Sequence, residues 1–326
     1  MTPTSSPIRS HAELASRTCS RRECLQAMGT VLVGATACAV NGLAAPTDLR
    51  AKAKANIRLG IDASVYSKLP LEEAVRRIRD DGFRSALTTF TFADVRFDPW
   101  SPDWEVVQKI TACFERHDVR VAALFGYYNV VDPDPARRQR GEARMELLIA
   151  NWKRLGCPVI STETGTFNRT SEWLDAPENA TEEGYAQCRA AFEKLAHAAE
   201  KTGATISIEA YWKNVIGSID RAARLFRDVP SPALKLVMDP CNFFRKEELP
   251  QMQPMLVDMF QRLGDRIVIA HAKDVKAAAG QGVLDYPLYL RLLAQLDRPI
   301  DLIVEHLTLP DVARARDYVL GQLDKV

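Results

Sequence analysis

From Ile57 onward, short β-branched or Leu-rich runs alternate with amphipathic helical segments without a break. The apolar runs cover 57–62, 85–90, 119–126, 158–165, 205–211, 234–242, 266–274 and 300–306. Helical patterns fill the intervals at 71–82, 103–117, 136–155, 185–201, from 218, 247–263, 287–296 and from 310. A strand followed by a helix returns the chain to begin the next strand in the same direction, so this alternation builds a parallel sheet. Eight such units predict a closed (β/α)8 barrel, the TIM barrel. The rival fold, an open doubly wound sheet, would carry a G-x-G-x-x-G turn after its first strand. Here that strand ends in Gly60-Ile61-Asp62. One catalytic domain is expected over 45–326, with 45–56 as a short polar leader to the first strand.

Four of the runs end in a side chain able to bind a metal. They are TISIEAY (205–211), LKLVMDPCN (234–242), RIVIAHAKD (266–274) and IDLIVEH (300–306), and the ligand types are Glu209, Asp239, His271 and Glu305. The intervals between them are 30, 32 and 34 residues, about one βα unit each. Side chains in a strand alternate between faces. Ile206 and Ile208 thus share one face, and Ser207 and Glu209 the other. In the last run Leu302 and Val304 oppose Asp301, Ile303 and Glu305. The same parity keeps His306 out of the ligand set. Strand ends on one side of a barrel form its mouth, so the four ligands converge there. Three oxygen donors and one nitrogen suit a single divalent ion, with Mn²⁺ favoured over Co²⁺, Mg²⁺ or Zn²⁺.

The net charge of +1 gives no basic excess for nucleic acid. The N-terminal segment is different in kind. Arg21 and Arg22 precede the apolar, Gly/Ala-rich run 27–40, and small residues follow at Gly42 and Ala44. This pattern resembles a twin-arginine secretory signal, with Cys24 where that class usually has Phe. Residues 1–44 are therefore expected to be removed on export to the periplasm. The apolar run is too short for a stable membrane span. Cys113, Cys157, Cys188 and Cys241 would remain, with no C-x-x-C pair among them and no disulfide framework in prospect.

SIEAY, VMDPCN, IAHAKD and LIVEH, in this order and spacing, resemble the sugar phosphate isomerase/epimerase-like superfamily of xylose isomerase-type barrels. HAKD and DPCN are the more specific signatures, and the likeness extends over nearly all of 45–326. The resemblance implies a Glu–Asp–His–Glu metal set at Glu209, Asp239, His271 and Glu305. It also implies that the two glutamates carry the proton chemistry. An ion bound to a sugar's carbonyl and hydroxyl would stabilise an enediolate. Glu209 and Glu305, arriving from different strands, could then exchange protons on opposite faces of the substrate. The expected activity is isomerisation or epimerisation of an unphosphorylated sugar or keto-sugar, since export argues against phosphorylated intermediates. The alternatives are lyase-type elimination on a 3-keto-glycoside and a non-catalytic sugar-binding barrel. Endonuclease IV shares the barrel but needs more His ligands and a basic face.

Asn242 lies where ketose 3-epimerases carry a substrate-contacting His, and Asn cannot relay a proton. Lys273, in step with His271, would bind a substrate hydroxyl or anionic group, or else pair with Asp274 at the rim. Glu163 points with Ser161 toward the same mouth and is the third substrate-binding candidate. Tyr127, Tyr128, Trp173, Tyr211 and Trp212 would form an apolar wall for a sugar face. A homo-oligomer is compatible with all of this.

Overall fold

The computed structural model describes residues 46–326 apart from 276, with side chains from Leu49 onward. The segment 1–44, expected to be a signal, lies outside the described residues. Among the described residues eight parallel strands are present: β1 Ile57–Asp62, β2 Ser85–Thr88, β3 Arg120–Phe125, β4 Val159–Glu163, β5 Thr205–Glu209, β6 Leu234–Met238, β7 Ile267–Asp274 and β8 Ile300–Val304. Each pairs with its neighbour in sequence from β1 to β8, and β8 pairs with β1 to close the ring. The chain is a (β/α)8 TIM barrel, as the alternation predicts. A two-residue strand, Ala277–Ala278, runs antiparallel to the end of β7.

Among the described residues nine α-helices surround the strands: α1 Pro46–Asn56, α2 Leu71–Asp80, α3 Trp104–Arg116, α4 Pro135–Asn151, α5 Glu182–Thr202, α6 Ile219–Asp228, α7 Met252–Leu263, α8 Tyr286–Ala294 and α9 Val312–Leu323. Their starts follow capping chemistry. Asp103, Asp134, Thr181, Ser218 and Asp285 each accept a backbone N–H from the first turn with a side-chain oxygen. Among the described residues no helix is long and apolar enough to cross a membrane.

The expected leader at 45–56 is a correction, because it forms helix α1. Its apolar stripe is narrow. Leu49 and Ala53, four residues apart and therefore on one face, are buried and the helix packs on α8. Arg50 and Lys54 pair with Asp324, and Lys52 with Asp297. With only one turn-to-turn apolar pair, the local pattern reads as polar, and the tertiary contact makes the helix.

Inward-facing layers fill the barrel. Gly60 in β1 has no room for a Cβ, which would lie 2.6 Å from Ile303 Cδ1 and 2.4 Å from Ser85 Oγ. Below it, Asp301 binds Arg58 at 3.0 Å and also Arg120, so the floor carries a partly buried ion pair. Ser161 and Ser207 hydrogen-bond across β4 and β5 at 2.7 Å. The mouth lies at the opposite end of the strands.

Candidate metal and active site

Glu209 is the last residue of β5, Asp239 follows β6, His271 lies within β7 and Glu305 follows β8. All four are buried, between 1% and 7% exposed. Their ligand atoms lie within 4.8 Å of one another. His271 Nδ1 is 3.3 Å from Glu305 Oε1, 3.5 Å from Glu209 Oε1 and 3.6 Å from Asp239 Oδ2. Asp239 Oδ1 is used, accepting the Cys241 N–H at the start of a 3-10 turn, which leaves Oδ2 facing the centre.

Hydrogen bonding tests whether these residues suit an ion. Buried polar atoms are nearly always partnered. Asp239 Oδ2, Glu305 Oε1 and both ring nitrogens of His271 are buried without a hydrogen bond. Of these, Asp239 Oδ2, Glu305 Oε1 and His271 Nδ1 face one another, and lone pairs grouped in this way fit a divalent cation. Electrostatics point the same way. Burial opposes charge on His271, yet Glu305 and Glu209 raise its pKa well above the imidazole value. For Glu305 the opposing cost of burial is outweighed by His271 and Lys273, and its pKa falls well below the usual carboxylate range. Three carboxylates this close require positive charge among them.

Lys273 supplies one such charge. Its Nζ lies 2.5 Å from Asp239 Oδ2 and 2.7 Å from Glu305 Oε1, at ion-pair distance though not in hydrogen-bond geometry with Asp239. It is 3.9 Å from Glu209 Oε1. The alternative of a rim pair with Asp274 is overturned. Asp274 instead accepts the backbone N–H groups of Gly280 and Leu284, both at 2.8 Å, and ties down the loop after β7. Lys273 and Asp274 are adjacent in a strand, so they point to opposite faces.

Asn242 lines the mouth, and its side-chain N–H donates to Glu209 Oε1 at 2.7 Å. Glu163 pairs in register with Glu209 across β4 and β5 and is buried. Burial first, and then the Glu209 charge, push its carboxyl well above the ordinary range. His306 stays outside the ligand group, as parity requires. It is half exposed, takes a left-handed φ of 58° and keeps its Nε2 3.9 Å from Glu305 Oε1.

Three neighbours of the site were not singled out from sequence. Asp62 at the end of β1 caps the turn that follows, accepting from Ser64 N at 2.9 Å and Ser64 Oγ at 2.8 Å. Burial nevertheless raises its pKa, with Glu305 adding to the effect. Tyr289 Oη donates to the carbonyls of Met238 and His271, and Tyr286 Oη to that of Lys273. These hydroxyls brace the ends of β6 and β7 behind the ligands. The Tyr-x-x-Tyr spacing on α8 was the available signal, since it puts both phenols on one helix face.

A cavity of about 600 Å³ opens over the cluster. Its inner end is polar, with Glu163, Glu209, Asn242, Lys273 and Glu305. Tyr127, Trp173, Tyr211 and Trp212 line it as the aromatic pattern suggested. Tyr128 does not, because its ring packs on Gly141 of α4, where a Cβ would lie 2.5 Å away.

Comparison with known proteins agrees with the barrel fold. No curated protein matches the chain. Solved structures do. A xylose isomerase-like TIM barrel protein from Mycobacterium smegmatis, in complex with magnesium, is similar with a TM-score of 0.60 and 16% identity, covering 83% of this chain and 97% of that one. A D-allulose 3-epimerase from Methylomonas sp. gives 0.61 at 18% identity, over 83% and 98%. The apo form of a 3-keto-D-glucoside 4-epimerase from E. coli gives 0.60 at 16%, over 83% and 99%. At such identities the likeness is one of fold. The sequence profile of one family matches residues 75–318, most of the chain. The protein belongs to the xylose isomerase-like TIM barrel family.

Proposed function

We propose that the protein is a divalent-metal-dependent isomerase or epimerase of an unphosphorylated sugar or keto-sugar. The observation that carries this reading is the buried convergence of Glu209, Asp239, His271 and Glu305 at the barrel mouth, with unpartnered ligand atoms. Structural neighbours of this fold include a D-allulose 3-epimerase and a 3-keto-D-glucoside 4-epimerase, which supports a sugar as substrate. Glu209, Asp239, His271 and Glu305 would hold the ion, Mn²⁺ by preference.

When bound, the ion supplies charge stabilisation for the oxygens of an enediolate. The chain's own residues do the rest. Glu209 and Glu305 come from β5 and β8, on different sides of the mouth, and on this reading they would take a proton from carbon and return it. Return to the same carbon from the other face epimerises, whereas return to the neighbouring carbon isomerises. Asn242 orients the Glu209 carboxylate through its 2.7 Å hydrogen bond. Lys273, beside Glu305 and Asp239, offers an ammonium to a substrate oxygen. Glu163, whose carboxyl burial and the Glu209 charge push above the ordinary range, faces the same end of the cavity and would hydrogen-bond a sugar hydroxyl. The polar inner end of the cavity matches a polyol, and burial excludes bulk water from the carbanion.

Solvent deuterium exchange tests the reading. Mn²⁺-loaded protein is incubated in D₂O with aldoses, ketoses and keto-glycosides and followed by NMR. Metal-dependent labelling of one carbon, lost in Glu209→Gln and in Glu305→Gln, is expected. Release of an aglycone would move the reaction to elimination. No labelling in any sugar, with metal bound, would leave a binding protein.

A further inference from the structure

The composition of the cavity changes along its length. Its volume of about 600 Å³ is that of a cleft for a ligand of drug-like size, roughly 300–1,000 Å³. The charged groups of the inner end come from the ends of β4, β5, β7 and β8: Glu163, Glu209, Lys273 and Glu305. The loops after β3, β4 and β5 contribute Tyr127, Trp173, Tyr211 and Trp212 instead. Trp173 stacks on Tyr127 with ring centroids 5.7 Å apart and planes 29° from parallel, yet it remains 51% exposed.

That exposed ring is held in place by a braced loop. Thr166 Oγ1 donates to Leu174 O, and Asn168 Nδ2 to Asp175 O, both at 2.8 Å. Asn179 Nδ2 reaches Thr166 Oγ1 at 2.9 Å and Lys213 O at 2.7 Å. The Arg221 guanidinium, from α6, binds the carbonyls of Asn179 and Ala180 at 2.5 and 2.6 Å. A half-exposed tryptophan on a fixed loop, one side stacked and the other open to a cavity, is a platform for a flat or ring-shaped group. Such platforms cost little ordering entropy on binding.

We propose that this wall is a subsite for a second ring, and that the substrate is a glycoside rather than a free sugar. The inference rests on the sugar isomerase/epimerase reading and narrows its substrate class. The sugar ring lies over Glu209 and Glu305, and the aglycone, an aromatic ring or a second sugar, lies on Trp173. A chemical consequence follows. In a glycoside the anomeric carbon is locked as an acetal, so the carbonyl next to the abstracted proton must be a ketone on another ring carbon. A dehydrogenase-type oxidation of a ring hydroxyl must therefore supply the substrate.

Binding and exchange, measured separately, test the two readings apart. Mn²⁺-loaded protein is titrated calorimetrically with phenyl β-D-glucopyranoside, cellobiose and methyl β-D-glucopyranoside. At least one two-ring probe should bind roughly tenfold tighter than the methyl glycoside, a stacking-sized effect. Which of the two gains more identifies the aglycone as aromatic or sugar. Trp173→Ala, at an exposed position that the fold does not need, should erase the preference, and Trp173→Phe should keep part of it. Equal or undetectable binding of all three probes overturns the subsite, as does an undiminished preference in Trp173→Ala. Deuterium exchange into free ketoses without any ring preference would leave the isomerase reading and remove the subsite. A Trp173-dependent preference with no exchange into any keto-sugar would do the reverse.

Discussion

Asn242 donates its side-chain amide to Glu209 Oε1 at 2.7 Å, so the residue three places after Asp239 aims the carboxylate of another member of the cluster. The 3-10 turn at Pro240–Asn242 makes this reach possible by carrying the chain across the mouth from β6 toward β5. Outer partners of metal ligands typically contribute ten- to a hundredfold to affinity or rate. Asn242→Ala should therefore weaken Mn²⁺ binding and lower turnover by about that range, with the fold intact by circular dichroism. Asn242→Asp should cost more, because a second carboxylate would face Glu209. Full activity in both variants would show that Glu209 is aimed by something else.

Lys273 Nζ lies between Asp239 and Glu305, two of the four residues proposed to hold the ion, so the ammonium and an ion would compete for the same carboxylates. Removing the ammonium leaves the same carboxylates with a stronger negative potential. Lys273→Met should bind Mn²⁺ at least about tenfold more tightly, read by electron paramagnetic resonance titration. Its metal-free form should be less stable than the parent, since buried carboxylates lose a counter-charge. An unchanged or weaker affinity would sink the idea of a shared site.

An ion that binds only the folded chain stabilises it by mass action, about 2.7 kcal/mol at a hundred times Kd. Adding Mn²⁺ to chelator-treated protein should raise the melting temperature by several degrees. Glu305→Gln should lose most of that rise. A melting temperature insensitive to every divalent ion tested would contradict the ligand assignment.

Arg221 ties the 166–184 loop to α6 through carbonyls of Asn179, Ala180 and Thr181, and it also binds that of Val215 after β5. Hydrogen bonds from a charged donor contribute about 1.5–3 kcal/mol each and do not add fully. Arg221→Ala should cost roughly 2–4 kcal/mol in denaturant unfolding. Faster hydrogen exchange should be confined largely to 166–184. Exchange unchanged in that segment would mean that the asparagine network holds the loop alone.

The four described cysteines are free and buried. Burial pushes Cys113 and Cys157 to about 12, with Glu72 adding to the effect at Cys113. Cys188 and Cys241 rise as well, again chiefly through burial. A thiol reacts as its thiolate, which is scarce so far below these values. Iodoacetamide at pH 8 followed by peptide mapping should leave all four unmodified in the native protein and label them after denaturation. Rapid native labelling of Cys241, beside the site, would show the mouth to be open to solvent behind Asp239.

The barrel itself was legible because its signal is local and repeated. Each strand–helix unit declares itself by a change of hydrophobic period, and eight in succession leave few topologies. The convergence of the four side chains was legible for a related reason. Strand parity fixes which side chains point inward, so Glu209, His271 and Glu305 could be expected to meet at the mouth and His306 to stay apart. What escaped was decided by distance. Helix α1 depends on one apolar pair meeting α8. Tyr128 turned onto Gly141, while its neighbour Tyr127 met Trp173 from a loop 46 residues away. Lys273 chose Asp239 and Glu305 over the adjacent Asp274, and Asn242 chose Glu209. Periodicity sets the direction in which a side chain leaves the backbone. Only the assembled mouth, where loops from several strands meet in a low-dielectric space, sets which charge it then finds.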